Sequence, residues 1–327
     1  EKADDSLLCA QLLIQQGRFA RLRSHYEPAK AALTQALALI ESQKLDAEVE
    51  GKAQAAEALH NLGLLAHYLG DNRLAPQQLE KGIAICRTLN RPWLLAEGLG
   101  FLALVTEFGG QPAVARQLFQ ESLTIRRSIH DLRGMAMTMS QLGFLYVNST
   151  DYARAELMFQ ECLAIQRELG DHLGVANTLN SLGAGATTSG DYVAAKRYHS
   201  ESLAIYRQYN EQGGVLRNLG NLGYVYNRLG DYPAALDMSL QALAMDRVIG
   251  SPRSMVFTLR HLGESYLHLG DLQQSRRHYH QALVMAQDIE ETPLILLVLN
   301  AMAALWIRSG QPMQAVERLS FILNHPA

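Results

Sequence analysis

The stretch Leu219-Gly220-Asn221-Leu222-Gly223-Tyr224-Val225-Tyr226-Asn227-Arg228-Leu229-Gly230-Asp231-Tyr232-Pro233-Ala234-Ala235 decides the fold. Leu219, Leu222 and Tyr226 fall at i, i+3 and i+7, the spacing of one helical face. Gly230 suits the left-handed residue that ends a helix, and Asp231 can cap the next N-terminus through its carboxylate. Ala235 supplies a small side chain where two helix backbones approach. The stretch reads as helix A, a tight turn and the start of helix B.

The pattern recurs every 40 residues. Asn61-Leu62-Gly63, Gln141-Leu142-Gly143, Ser181-Leu182-Gly183 and His261-Leu262-Gly263 share its phase, with degenerate copies at Phe101-Leu102-Ala103 and Ala301-Met302-Ala303. The stop-and-cap pair returns as Gly70-Asp71, Gly190-Asp191 and Gly270-Asp271, varied to Gly110-Gln111, Thr150-Asp151 and Gly310-Gln311. The small residue returns as Ala75, Ala115, Ala155, Ala195, Ser275 and Ala315. Such a hairpin cannot bury its apolar face alone, so neighbours stack and share a core.

At these residues the chain resembles a tetratricopeptide-repeat (TPR) array. The family pattern is matched by Met139, Leu142-Gly143, Tyr146, Ala155, Phe159 and Cys162, with departures at the first and last positions. The terminal Pro of the 34-residue repeat is replaced by Arg87, Arg127, Arg167, Arg207 and Arg247. That marks the 40-residue form of LGN/Pins and kinesin light chain adaptors and of bacterial STAND/LuxR-type regulators. The fold expected is all-α, an α-solenoid (superhelix) of about eight TPR-like helix-turn-helix repeats in a single domain, 1–327. The approximate repeats are 4–42, 54–90, 92–130, 132–170, 172–210, 212–250, 252–290 and 292–325. The first is displaced because the segment Glu41 to Lys52 is longer.

Composition agrees. The chain has 327 residues, 48% hydrophobic and 19% charged, enough apolar side chain for a large core and too little charge for disorder. A net charge of −3 offers no overall positive field for a phosphate backbone, so no direct nucleic-acid partner is expected. Cys9, Cys86 and Cys162 are far apart, which argues against a disulfide framework or zinc knuckle and fits a cytoplasmic setting. The apolar run Leu294 to Leu299 is far below the roughly 20 residues needed to span a bilayer, so no membrane is expected. The chain opens on Glu1, which reads as a segment of something longer.

With helix axes about 8 to 10 Å apart, eight A helices would line a groove of about 70 to 80 Å, able to hold some 20 residues of extended chain at roughly 3.3 Å each. The stripe 57, 60, 64, 67 and its copies should face this groove. Early copies give Glu57, His60, His67, Glu97 and Glu107; middle copies give Asn177, Asn180, Ala184 and Thr187; later ones give Arg217, Gly220, Tyr224, Asn227, Arg260, Glu264 and Arg308. The groove reads as acidic early and basic late. Carboxamides pair with peptide backbone, and Arg holds carboxylates. The family resemblance implies peptide-holding roles for Asn177, Asn180, Arg217, Asn221 and Arg260.

The fifth copy departs from the rest: Gly183-Ala184-Gly185-Ala186-Thr187-Thr188-Ser189 replaces bulky residues, and Gly213, Gly214 and Gly220 lie opposite. Either a cavity or flexible joint for a small effector or anchor side chain follows, or tighter helix packing. The last helix A, Leu294 to Leu299, is apolar all round and needs a cover: a short final helix B, chain beyond Ala327, or a second subunit.

No metal or cofactor is expected. His60 and His67 are seven residues apart, about 10 Å along a helix, and His278 and His280 point to different sides. The repeated Asp71, Asp191, Asp231 and Asp271 are explained as caps. Gly183-Ala184-Gly185 lacks the preceding strand of a dinucleotide site. With no nucleophile and base in view, the chain reads as a non-enzymatic scaffold binding a protein or peptide segment, extended or helical. The alternative is an effector-sensing or autoregulatory module of a larger STAND-type regulator.

Overall fold

The computed structural model describes residues 2–249, 251–313 and 316. It forms two compact units, residues 1–170 and 171–327. Unit 1 contains α1 (Lys2–Leu22), α2 (Tyr26–Ser42), a short 3₁₀ turn (Leu45–Ala47), α3 (Val49–Tyr68), α4 (Leu74–Thr88), α5 (Pro92–Phe108), α6 (Pro112–Ser128), α7 (Leu132–Asn148) and α8 (Tyr152–Glu168). Unit 2 contains α9 (His172–Ser189), α10 (Tyr192–Gln208), α11 (Gln212–Leu229), α12 (Tyr232–Ile249), α13 (Pro252–Leu269), α14 (Leu272–Asp288) and α15 (Thr292–Arg308). Odd-numbered helices are A helices and even-numbered ones B helices. The described chain is an all-α stack of hairpins, and none of its helices is long and apolar enough to cross a membrane.

The turns follow the sequence reading. Gly70, Gly190, Gly230 and Gly270 take φ values of +82°, +87°, +79° and +86°, the left-handed region that a side chain would strain. The following aspartates cap: Asp71, Asp191 and Asp271 accept from the amides of Leu74, Ala194 and Gln274 at 2.9, 3.0 and 2.9 Å.

The glycine of each Leu-Gly pair lets helix A lie against a buried residue of helix B. A Cβ on Gly63, Gly183 or Gly263 would stand 2.6 Å from Leu79, His199 or Tyr279. Gly143 meets the Phe159 ring in the same way. Ala75, Ala115, Ala155, Ala195 and Ala235 are at most 2% exposed, as their role in close backbone approach requires.

Within each unit successive A helices touch directly, α1 to α3 to α5 to α7 and α9 to α11 to α13 to α15, whereas consecutive B helices lie apart. The A side is therefore the tighter side of each stack, and residues on it that do not pack face a shared wall.

One boundary differs from expectation. Helix α3 begins at Val49, not near residue 54, because the longer segment is folded: Leu45, 2% exposed, turns back into a core with Ala10, Ile40 and Ala55. Gly51 lies against the Leu45 carbonyl, where a Cβ would collide. In the last copy α15 buries Leu294, Val298, Met302 and Leu305 with α13 and α14. Most of the expected final helix B, including Ala315, and Gly250 lie outside the described residues.

Candidate functional site

The A helices of unit 2 build the most complete candidate site. A cavity of about 430 Å³ opens between α9, α11 and α13, with Ala184, Thr187, Arg217, Asn221, Tyr224 and Arg260 on its wall. Its volume comes from missing side chains. A Cβ added to Gly220, on the cavity wall, would meet nothing within 4 Å, and the same is true at Gly185 outside the lining. The two readings of the glycine-rich copy therefore divide by residue: Gly183 is used for close packing on His199, while Gly185 and Gly220 face open space.

Asn177 and Asn180 lie outside the cavity lining, and the polar groups in and beside the wall are ordered by one another. Asn221 Nδ2 donates to Asn180 Oδ1 across α11 and α9 at 3.1 Å. Asn177 Nδ2 donates to the Leu173 carbonyl at 3.0 Å, and its Oδ1 accepts from the Tyr206 hydroxyl at 2.7 Å. Thr187 spends its hydroxyl on the Gly183 carbonyl at 2.8 Å. Ala184 is exposed at the rim.

Two arginines supply the charge. Arg217 is exposed and has no carboxylate within ion-pair distance among the described residues. Arg260 is held against the wall: its Nη1 lies 3.7 Å from Glu264, its Nη2 lies 2.6 Å from His261 Nε2, and its guanidinium sits 5.9 Å from the Tyr224 ring centroid. An arginine faces imidazole as a donor, so His261 Nε2 is the acceptor and the ring is neutral. Burial, with Arg260 adding to it, pushes the His261 pKa well below its ordinary value. Tyr224 also meets Tyr192 edge-on at 6.4 Å, and burial raises its hydroxyl pKa. The site thus combines one free and one braced guanidinium with an amide pair, groups whose chemistry can match a carboxylate and a peptide backbone.

Asn227 does not face this wall. It is 6% exposed, its Nδ2 donates to the His261 carbonyl at 3.0 Å, and its Oδ1 accepts from Ser265 at 2.9 Å, so it joins α11 to α13. His60 also departs from the inner stripe. It is fully buried, lodged where a Cβ on Gly82 or Gly98 would collide, and burial pushes its pKa down to about 4. Glu57 and Glu97 are likewise buried, at 8% and 9% exposure.

Off the stripe, His199, Thr258 and His261 also line the cavity, beside the stripe residue Phe257. One signal pointed to His199. The positions 40 apart are Leu79, Phe119, Phe159, His199, Ser239 and Tyr279, so polar residues replace the bulky B-helix residue at the cavity and in the following copy.

Residues 94–168, 134–208 and 174–247 match the profile of the tetratricopeptide repeat. The hairpins within residues 94–247 match the tetratricopeptide repeat, and the chain as a whole has a tetratricopeptide-repeat-like fold. No curated protein matches the sequence significantly. Among solved structures it is similar to the STAND protein with a tetratricopeptide repeat sensor PH0952 from Pyrococcus horikoshii, at TM-score 0.72 and 16% identity over 95% of this chain and 46% of that one. It is similar to a Rap protein complexed with Competence and Sporulation Factor, at TM-score 0.58 and 15% identity over 99% and 97% of the two chains. BtubC (BKLC) from P. vanneervenii gives TM-score 0.62 and 21% identity over 69% and 92%. At these identities the likeness is one of fold.

Proposed function

We propose that this chain is a cytoplasmic, non-enzymatic binding module whose unit 2 holds a peptide segment along its A helices and anchors an acidic group in the 430 Å³ cavity. The observation that carries this reading is Arg217, a guanidinium on the cavity wall with no carboxylate partner among the described residues. The Asn180–Asn221 pair and Asn177 flank it with carboxamides able to rebond to a peptide backbone. The Rap structure, complexed with Competence and Sporulation Factor, is in keeping with a ligand held by this fold.

The test is calorimetric titration with acidic peptides and their amidated, neutral counterparts. The acidic peptides should bind more tightly, and Arg217→Gln should weaken them about tenfold, equivalent to roughly 1.4 kcal/mol. Equal binding of acidic and neutral peptides, or no effect of the variant, sinks the reading.

A second reading rests on the open space at Gly220: the cavity receives a small anionic effector, as the sensor of a larger regulator. The relation to the STAND protein, of which this chain spans 46%, favours it. Competition between a small dicarboxylate and the peptide distinguishes the two, since only the second reading has the small molecule binding as tightly by itself.

A further inference from the structure

Unit 1 contains a second cavity, about 720 Å³, independent of the one above. Its apolar lining includes Leu7 and Leu8 from α1 and Trp93 and Leu94 from α5, with Gln11, Glu50, Asn90 and Arg91 among the polar residues around it. Leu8 and Trp93 are 59% and 43% exposed, so the mouth is an uncovered apolar rim with an indole face. The deepest polar side chains are Gln54 and Glu57, and each presents an acceptor. Gln54 is 5% exposed, lines the cavity, and its Oε1 has no hydrogen-bond partner. Glu57, one helical turn along α3, takes both its contacts on Oε1, from Arg18 at 2.9 Å and Gln15 at 3.4 Å, leaving Oε2 without a hydrogen bond among the described residues. Arg91, the cationic residue on this wall, is paired with Glu50 at 2.7 Å.

A buried acceptor without a donor costs free energy that a ligand N–H recovers. A carboxylate with a free oxygen favours that donor being charged, and an indole face at the mouth attracts a cation as it enters. Behind Glu57 the buried Glu97 leaves its Oε2 unpartnered. Burial holds its carboxyl above the usual range, with Glu57 adding and Arg18, Arg126 and Arg21 opposing.

We propose that the unit 1 cavity binds an organic cation, an ammonium or guanidinium on an apolar body, with Gln54 and Glu57 receiving the N–H groups and Trp93 and the leucines covering the apolar part. Its chemistry is opposite to that of the anion-receiving wall of unit 2, and neither site depends on the other.

The chain has two tryptophans, so Trp306→Phe leaves Trp93 as the reporter indole. In that background the full chain is titrated with phenethylammonium, 3-phenylpropan-1-ol and 3-phenylpropanoate, following indole emission. The ammonium should give a saturable change, with the alcohol at least about tenfold weaker and the carboxylate not binding. Gln54→Met should weaken the ammonium several-fold with an unchanged melting temperature, and Glu57→Gln should do so about tenfold. Because Glu57→Gln also disturbs Arg18, Gln54→Met is the deciding variant. Alcohol or carboxylate binding equal to that of the ammonium, or an unchanged affinity in Gln54→Met, overturns the proposal. A parallel titration with acetyl-Phe-Lys-Leu-amide separates a peptide-borne ammonium from a free amine, and tighter binding by either one assigns the source. Arg217→Gln should leave all of these titrations unchanged.

Discussion

Asn218 fixes the tautomer of His199. The His199 Nδ1 lies 3.1 Å from Asn218 Oδ1, and Asn218 Nδ2 donates to the Gly214 carbonyl at 2.9 Å, so the amide turns its oxygen to the ring and Nδ1 carries the hydrogen. Both residues are fully buried. A neutral imidazole is thereby built into the wall behind the unit 2 cavity.

That burial predicts a pH dependence of stability. Burial pushes His199 down to about 4, with the Asn218 bond opposing, and pushes His60 down to about 4. An imidazole whose folded pKa lies below its unfolded value of about 6.5 binds more protons when unfolded. Its stabilising effect is therefore complete above pH 6.5 and is lost as pH falls toward 4. The slope is at most about 1.4 kcal/mol per pH unit for each histidine. Glu97 and Asp246, raised by burial, have the opposite sign, so the clean measurement is a difference between variants. His199→Gln should flatten the slope of urea-unfolding free energy between pH 6.5 and 4.5 by close to one proton. An unchanged slope would show that the ring titrates normally in the folded protein.

Gly183 and Gly185, two residues apart on α9, should respond to alanine with opposite signs. At Gly183 the added methyl would stand 2.6 Å from the His199 ring, which Asn218 holds in place, so overpacking should cost about 1 to 3 kcal/mol. At Gly185 it meets nothing, and replacing a helical glycine should gain up to about 1 kcal/mol. Urea unfolding of both variants checks this. Destabilisation of equal size at both positions would mean that the space beside Gly185 is not open.

The repeat, its turns and its caps were legible in the sequence because each is local. Gly230 followed by Asp231, or Leu222 next to Gly223, needs only the helical period and the conformational range of glycine to be interpreted. The stripe positions Arg217, Tyr224 and Arg260 line one cavity together with Asn221. The stripe failed where burial depends on the neighbouring copy. His60 fits inside because Gly82 and Gly98, on two other helices, lack side chains, and Asn227 is buried because the Ser265 hydroxyl donates to its Oδ1 and the His261 carbonyl accepts from its Nδ2. The Leu45 plug was illegible for the same reason, since its core partners lie in α1, α2 and α3.

Asn227 and Arg217 lie ten residues apart on α11 and separate stability from binding. Asn227→Leu removes a buried bridge between α11 and α13 and should cost about 1 to 3 kcal/mol. Arg217→Gln touches an exposed side chain outside any ion pair and should change stability by less than about 0.5 kcal/mol, while weakening acidic peptides. Thermal melts and calorimetry on the two variants should therefore dissociate. If Arg217→Gln lowered the melting temperature as much as Asn227→Leu, the arginine would be part of the packing and its role in the site would fall.

Asp131 should be far more costly to remove than the other capping aspartates. Like Asp191, it caps a helix, accepting from the Gly134 amide at 2.9 Å. Unlike Asp191, it also holds Arg126, which is 3% exposed, at 2.6 Å. Arg126 in turn reaches Ser122 Oγ at 3.3 Å, and Ser122 donates to the Ala96 carbonyl at 2.7 Å, so one chain of contacts joins α5, α6 and α7. Gly134 has no Cβ because Arg126 and Asp131 occupy that space. Truncating a cap alone costs about 1 kcal/mol, whereas removing one member of a buried ion pair strands the other charge and costs about 3 to 5 kcal/mol. Asp191→Ala and Asp131→Ala, compared by urea unfolding, should show that gap. Adding Arg126→Met to Asp131→Ala should restore much of the loss, because the stranded charge is then gone. Two single losses of the same small size would mean that water reaches Arg126 and that the pair is only a surface contact.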